Sequence, residues 1–429
     1  MPSSSLSLVR TSRRKPLLSS VETLNLEKQL THSHESADIV IMGGGGHVGL
    51  PLGIALARAG LKTVLYDTNE TTLSTVKSGT MPFLEPGAEP ILKEVLAEGM
   101  LGGTSDPAII SEADIVVVVI GTPIDEHLNP DPWAVRGAVA EIADHLHDGQ
   151  LVVLRSTVFP GSTALIEGLL EEKQLAVDVA FCPERIAEGK AMTELYELPQ
   201  IVSGRTDDAV ARAEKLFRHL TDSIVVLTPE EAELAKLFTN TWRYIKFATA
   251  NQLYMIANNY GLDYERIRQG LVAGYERAQD LPSAGFAAGP CLFKDTMQLA
   301  AFNDNNFTLG HAAMTVNEGL PLYLVSRIER NHELNGLSVG ILGMAFKGES
   351  DDTRSSLSYK LKRLLRYRAK EVLTTDPYVT TDPDILPLEE VLERSDLLVI
   401  AAPHSTYAGL SPSQPVVDIW NLLGEGVLV

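Results

Sequence analysis

The stretch Gly285-Phe286-Ala287-Ala288-Gly289-Pro290-Cys291-Leu292-Phe293-Lys294-Asp295 sets one cysteine behind a run of small residues and a proline. A lysine and an aspartate follow three and four positions on. Small residues let backbone approach a ligand closely, because no side chain stands in the way. A thiolate is a strong nucleophile, and neighbouring positive charge lowers its pKa. Taken alone, the stretch reads first as a Gly-rich turn around a buried structural thiol. What surrounds it in the chain has to shift that reading.

A second constellation lies near the start. Asp38-Ile39-Val40-Ile41-Met42 has the apolar run of a short buried strand, and Gly43-Gly44-Gly45-Gly46-His47-Val48-Gly49 follows at once. The G-x-G-x-x-G frame falls on Gly44, Gly46 and Gly49. A helix from Leu50 to Ala59, a strand from Thr63 to Tyr66 and then Asp67 complete a dinucleotide-binding pattern. The glycines admit a pyrophosphate to the helix N-terminus, where free N–H groups favour anions. Asp67 is placed to bond the adenosine ribose, and its carboxylate repels a 2′-phosphate. No Arg or Lys follows in Thr68-Asn69-Glu70, so NAD is expected over NADP.

Strand and helix then alternate. The strands expected at Ile115 to Ile120, Leu151 to Leu154 and Val177 to Phe181 each run into polar residues at the end where open α/β sheets bind ligands. These loops hold Thr122, Pro123 and Asp125; Arg155, Ser156 and Thr157; and Glu184, Arg185 and Glu188. Ile224 to Leu227 is expected to close this unit. A long helix follows, with Thr228 as cap, Pro229 in the first turn and Glu231 completing a capping box. Its apolar pattern persists to about Tyr260 and stops at Gly261. On it, Lys236 and Asn240 sit at i and i+4 and share a face. A further helix is expected from about Thr308 to Arg330. The α/β pattern then restarts, with strands at Leu337 to Leu342, Val372 to Thr374 and Leu397 to Ala401 and a basic helix from Leu357 to Arg368. The expected fold is α/β, with two doubly wound, Rossmann-like domains joined by a long-helix central region.

The 429 residues suit several domains, and a net charge of −20 argues against a nucleic-acid footprint. The two cysteines, Cys182 and Cys291, lack metal-ligand spacing and fit a reducing, cytoplasmic compartment with no metal site. No apolar run approaches bilayer length, so no membrane partner is expected. Residues 1–36 are Ser-rich and carry Arg10, Arg13, Arg14 and Lys15 without an apolar core, and read as a disordered leader. The remaining boundaries are expected at 37–227, 228–335 and 336–429.

Together these motifs, in this order, resemble the UDP-glucose/GDP-mannose dehydrogenase family from about residue 38 to the end. The resemblance rests on the Gly turn, Thr122-Pro123, Ser156-Thr157, Pro183-Glu184, Ala232 to Lys236 with Asn240, Gly289 to Asp295, and Phe346-Lys347 with Asp352-Thr353-Arg354. It implies four-electron oxidation of a sugar C6 alcohol to a carboxylate, with NAD as cofactor and a nucleotide sugar as substrate. Cys291 is then the nucleophile. Lys236 and Asn240 stabilise the oxyanion, Asp295 orders the lysine and a water, Glu184 is the acid/base, and Thr157 lies beside the reacting carbon. Glu188 and Arg354 join Gly44, Gly46, His47, Val48, Gly49, Asp67, Thr122 and Pro123 as cofactor contacts. Gly285, Gly289, Arg185, Phe346 and Lys347 contact the substrate, and Arg277 matches an arginine that reaches a neighbouring subunit's substrate in a homodimer or larger assembly. The loops at 119–125 and 182–185 resemble the branch acting on UDP-N-acetylhexosamines, while Pro290 stands where relatives often carry Ser or His. UDP-glucose or GDP-mannose as substrate, and a two-electron dehydrogenase of the hydroxy-acid type, stay open at this point.

Overall fold

The computed structural model describes residues 37–122, 125 and 130–429; the leader and Pro123 lie outside the described residues. Six short parallel strands, β1 (Ala37–Met42), β2 (Thr63–Tyr66), β3 (Leu101–Thr104), β4 (Ala113–Val118), β5 (Leu151–Leu154) and β6 (Asp178–Phe181), make one sheet in the order β3-β2-β1-β4-β5-β6. Central strands buried on both faces need apolar residues throughout, and Leu151 to Leu154 are all buried. The strand order reverses between β1 and β4, so a crevice opens at their carboxyl ends.

Ile224–Leu227 (β8) does not join this sheet. It pairs in parallel with β7 (Gln200–Ser203) in a separate two-stranded sheet, held to β6 by an isolated Ala180–Gly204 bridge. Val225 and Val226 are 42% and 49% exposed while Ile224 and Leu227 pack, partly buried, against the core, so the middle of this apolar run faces outward. Apolar content alone does not separate outward from packed positions.

The long helix runs Pro229–Asn259 with both halves of its capping box made: Thr228 Oγ1 accepts from the Glu231 N–H, and the Glu231 carboxylate accepts from the Thr228 N–H at 2.9 Å. Such a cap contributes about 1 kcal/mol. Gly261, at φ +69°, turns the chain away. The helix packs on Leu292–Phe302 and Thr308–Asn331, which fixes the cysteine loop against it.

A second parallel sheet, in the order β10-β9-β11-β12, holds β9 (Ser338–Leu342), β10 (Glu371–Thr375), β11 (Leu397–Ile400) and β12 (Val416–Asp418). Helix Leu357–Arg366 buries Leu357, Leu361 and Leu365. Asp376 accepts from the N–H groups of Met344 and Ala345 at 2.6 and 2.9 Å, much as Asp67 accepts from Gly45 in the first sheet. The α/β class with two doubly wound sheets is thus present, and β3, β7 and β12 are strands that the sequence pattern does not mark.

Candidate active site

Loops from the carboxyl ends of β1, β4, β5 and β6 meet the cysteine loop around a cleft of about 690 Å³. The Gly turn forms one end. Gly43 has φ +78°, and a Cβ there would stand 1.9 Å from the Val119 carbonyl oxygen. A Cβ on Gly49 would lie 2.4 Å from Gly43 O, and one on Gly44 2.7 Å from Leu65 Cβ, so those two glycines serve close packing. Gly46 is exposed on the cleft, beside the first turn of helix Gly49–Arg58. This cradle of unhindered backbone at a helix N-terminus fits a pyrophosphate. Asp67 is fixed by the Gly45 and Asn69 N–H groups, each at 2.9 Å. These residues fit NAD.

His47 stacks on Phe83 at 4.0 Å and its Nε2 lies 3.2 Å from Glu188 Oε1. Burial and then the nearby Arg354 guanidinium pull its pKa below the usual histidine value. Burial, then the Asp352 carboxylate, push Glu188 up to about 7. Arg354 bonds Asp352 at 2.6 Å and lies 3.7 Å from Glu188. Four charged or titratable groups therefore crowd one end of the cleft.

Cys291 precedes helix Leu292–Phe302, and its carbonyl accepts from the Asp295 N–H at 2.8 Å. The residue keeps an exposed surface toward the cleft but is walled by protein elsewhere. That loss of solvent, followed by the Asp295 carboxylate, raises the thiol above its ordinary value, while Lys236 and Lys294 pull it down. The lowered pKa expected from the adjacent lysine is not found, because burial outweighs the two ammonium groups. Thr122 Oγ1 donates to the Thr157 carbonyl at 2.7 Å and accepts from Lys294 Nζ at 3.0 Å, tying the β4 and β5 loops to the cysteine loop.

Lys236 lines the cleft and donates to the Glu184 main-chain carbonyl. Asn240, one turn on, donates its amide to Asp295 Oδ2 and does not line the cleft. Asp295 is fully buried. Its Oδ1 accepts no hydrogen bond, though the Lys294 ammonium stands 3.3 Å away. Asp295 thus orders Asn240, and Lys236 is ordered by Glu184. Glu184 reaches the cleft with both carboxylate oxygens engaged: Oε1 accepts from the Arg185 and Ile186 N–H groups at 2.7 and 2.9 Å, and Oε2 from Arg155.

Other expected contacts sit apart. Arg185 turns its guanidinium to the Pro199 carbonyl. Arg277 is exposed in the short 3-10 turn Glu276–Ala278, outside the cleft lining. Gly285 is buried where a Cβ would meet Trp420 at 2.2 Å. Gly289 lines the cleft at φ +98°, and the Phe346 ring packs under it, 2.6 Å from a built Cβ. Phe346 lies behind this wall, and Lys347 binds the Glu188 carbonyl beside the cleft. Sequence reasoning singled out no role for Arg155 and gave Lys294 only an effect on the thiol, although both line the cleft. It also missed Phe83 and Glu85; Glu85 accepts from the Gly189 and Ala191 N–H groups at 2.9 and 2.8 Å. The signal for Arg155 was present: a charged residue ending an all-apolar strand has to find a buried partner.

Family models described as the UDP-glucose/GDP-mannose dehydrogenase family match in three parts: the NAD binding domain over residues 37–221, the central domain over 230–319 and the UDP binding domain over 340–425. The chain is 33% identical over 395 residues to a UDP-N-acetyl-D-mannosamine dehydrogenase of Pyrococcus horikoshii, covering 89% of this chain and 91% of that protein. It is 28% identical over 393 residues to the enzyme of the same name from Escherichia coli K12, covering 84% and 92%. The solved structure of UDP-D-ManNAc dehydrogenase from Pyrococcus horikoshii superposes with a TM-score of 0.83 at 30% identity, covering 90% of this chain and 96% of that one. A UDP-glucose dehydrogenase from the hyperthermophilic archaeon Pyrobaculum islandicum gives 0.82 at 26% identity, covering 90% and 95%.

Proposed function

The chain belongs to the UDP-glucose/GDP-mannose dehydrogenase family of NAD-dependent oxidoreductases, and on that basis we propose that it oxidises the C6 alcohol of a UDP-N-acetylhexosamine to the uronic acid through a covalent adduct on Cys291. The observation that carries this reading is the seat of Cys291, whose exposed surface opens on the same cleft as the Gly turn. The sugar is chosen because the 182–185 loop and the names of several relatives agree on an N-acetylated substrate.

Gly43, Gly46, Asp67, Glu188 and Arg354 would hold NAD, which when bound accepts hydride. Loss of a hydride and a proton from the alcohol leaves an aldehyde. Cys291 Sγ adds to the aldehyde carbon, and the thiol proton ends on the carbonyl oxygen. Loss of a second hydride and proton leaves a thioester. Water then attacks its carbonyl carbon, Glu184 takes a water proton, the C–S bond breaks, and the thiol and a carboxylate are released. Lys236 faces the oxygen that gains charge in each tetrahedral adduct, a placement worth about 3 kcal/mol. Asn240 acts through Asp295, fixing the start of the helix that carries Cys291. Phe346 and Lys347 hold the uridine diphosphate side, and Arg277 serves a neighbouring copy.

The chain divides at 227 and 335 into NAD-binding, central and nucleotide-sugar-binding parts. Exposed Phe238, Trp242 and Ile256 on the long helix favour a homodimer. Among the described residues no helix is long and apolar enough to cross a membrane. Free thiols fit the cytoplasm, and the acid product suits polysaccharide biosynthesis. A panel of UDP- and GDP-sugars with NAD tests the reading: two NADH per UDP-N-acetylhexosamine are expected. One NADH with free aldehyde or ketone would overturn it.

A further inference from the structure

We propose that Arg155 is a positioning residue for thioester hydrolysis, acting through Glu184; this rests on the function proposed above. Arg155 is 1% exposed, an unusual state for an arginine, and its guanidinium donates to protein acceptors on every side. Nε donates to Glu184 Oε2 at 2.9 Å, and Nη2 donates to the same oxygen. Nη1 donates to the Cys182 carbonyl at 3.1 Å, and Nη2 also reaches Gln200 Oε1 at 3.1 Å. The plane sits over the Phe217 ring, 4.6 Å from its centroid. One rigid fork therefore grips both ends of the segment Cys182–Glu184, which continues β6 into the cleft.

Two consequences follow from the chemistry. The Glu184 main-chain carbonyl holds Lys236, so the fork also sets where that ammonium stands. Each Glu184 oxygen already accepts from two donors, so the carboxylate is held in one orientation at the edge of the cleft, and a water gains it only where one of those bonds yields. A base fixed in that way can take a proton from a water only if the water approaches on the cleft side, where the thioester lies. Arg155 selects that direction, and a lysine cannot copy it, because an ammonium lacks the planar pair of donors. During hydrolysis the water oxygen bonds to the thioester carbon, its proton passes to Glu184, and the electron pair of the broken C–S bond returns to Cys291. Arg155 exchanges no atom or electron.

The test is rapid-mixing kinetics of the full chain with NAD and UDP-N-acetylhexosamine, with melting temperatures recorded for every variant. Arg155→Lys should form about two NADH per active site in a burst and then turn over at least ~10-fold more slowly than wild type. Glu184→Gln should give the same burst, and the double variant should be no slower than the worse single one. Gln200→Leu removes only one partner of the guanidinium and keeps the test open should Arg155→Lys fail to fold; it should slow the phase after the burst and leave the burst unchanged. A uniform slowing of both phases, no burst, or an additive double variant would overturn the proposal while wild type still yields two NADH per sugar. One NADH per sugar from wild type would instead overturn the function reading itself.

Discussion

Asn240 and Asp295 are joined by a hydrogen bond of 2.5 Å from amide Nδ2 to carboxylate Oδ2, both groups buried. One belongs to the long helix Pro229–Asn259, the other to the helix that Cys291 begins, so this bond sets the thiol against Lys236. Asn240→Leu keeps the volume but leaves Asp295 buried with its Asn240 partner gone, which costs about 1–3 kcal/mol. We expect a lower melting temperature together with a fall in kcat of about tenfold or more. An unchanged kcat in a destabilised protein would make the bond structural only.

The acidity of Cys291 is open to a direct check. Burial and Asp295 raise its pKa, and Lys236 and Lys294 lower it. Alkylation by iodoacetamide in the absence of substrate should therefore speed up as pH rises above neutrality. Asp295→Asn should move that rise to lower pH, and Lys236→Met to higher pH. Cys291→Ser should bind NAD and UDP-sugar but lose acid production by at least about 10³-fold.

Glu188 links stability to pH. Its folded pKa is raised from 4.5 to about 7, chiefly by burial and then by Asp352. The folded state holds the proton more tightly, so the contribution is fully present below 4.5 and is lost as pH rises through about 7. The effect is at most about 3 kcal/mol. Without ligands, the melting temperature should drop between pH 5 and 8, and Glu188→Gln should remove most of the drop. An equal drop in the variant would assign it to other groups.

Cofactor choice rests on Asp67, whose carboxylate is held by the Gly45 and Asn69 N–H groups. NADP should be used at least ~100-fold less efficiently than NAD, because a phosphate would face that carboxylate. Asp67→Asn should raise KM for NAD and narrow the gap. Equal use of both cofactors by wild type would exclude the role.

Gly289 tests the wall of the cleft. Its φ of +98° and the Phe346 ring 2.6 Å from a built Cβ leave no room for a side chain. Gly289→Ala should destabilise by about 1–3 kcal/mol and displace the cysteine loop, read as a lower melting temperature with a slower alkylation of Cys291.

Local chemistry wrote much of this protein into the chain. The capping box at Thr228 to Glu231, the all-apolar strands and the Gly frame with Asp67 about twenty residues on each depend on neighbours a few positions apart, so order along the chain suffices to read them. The α/β class and the NAD cradle follow from those short-range patterns. The acidity of Cys291, the partner of Asn240 and the grip of Arg155 on Glu184 did not follow, because the two contacts join groups 55 and 29 residues apart and the thiol is set first by burial, which only the packed chain decides. Burial is likewise a property of the whole fold: it reverses the pKa shift that Lys294 alone suggests, and it leaves Val225 and Val226 facing outward. Residue types name the chemistry that is available, and tertiary packing, by choosing which charges lose water and which donors meet, assigns it to particular atoms.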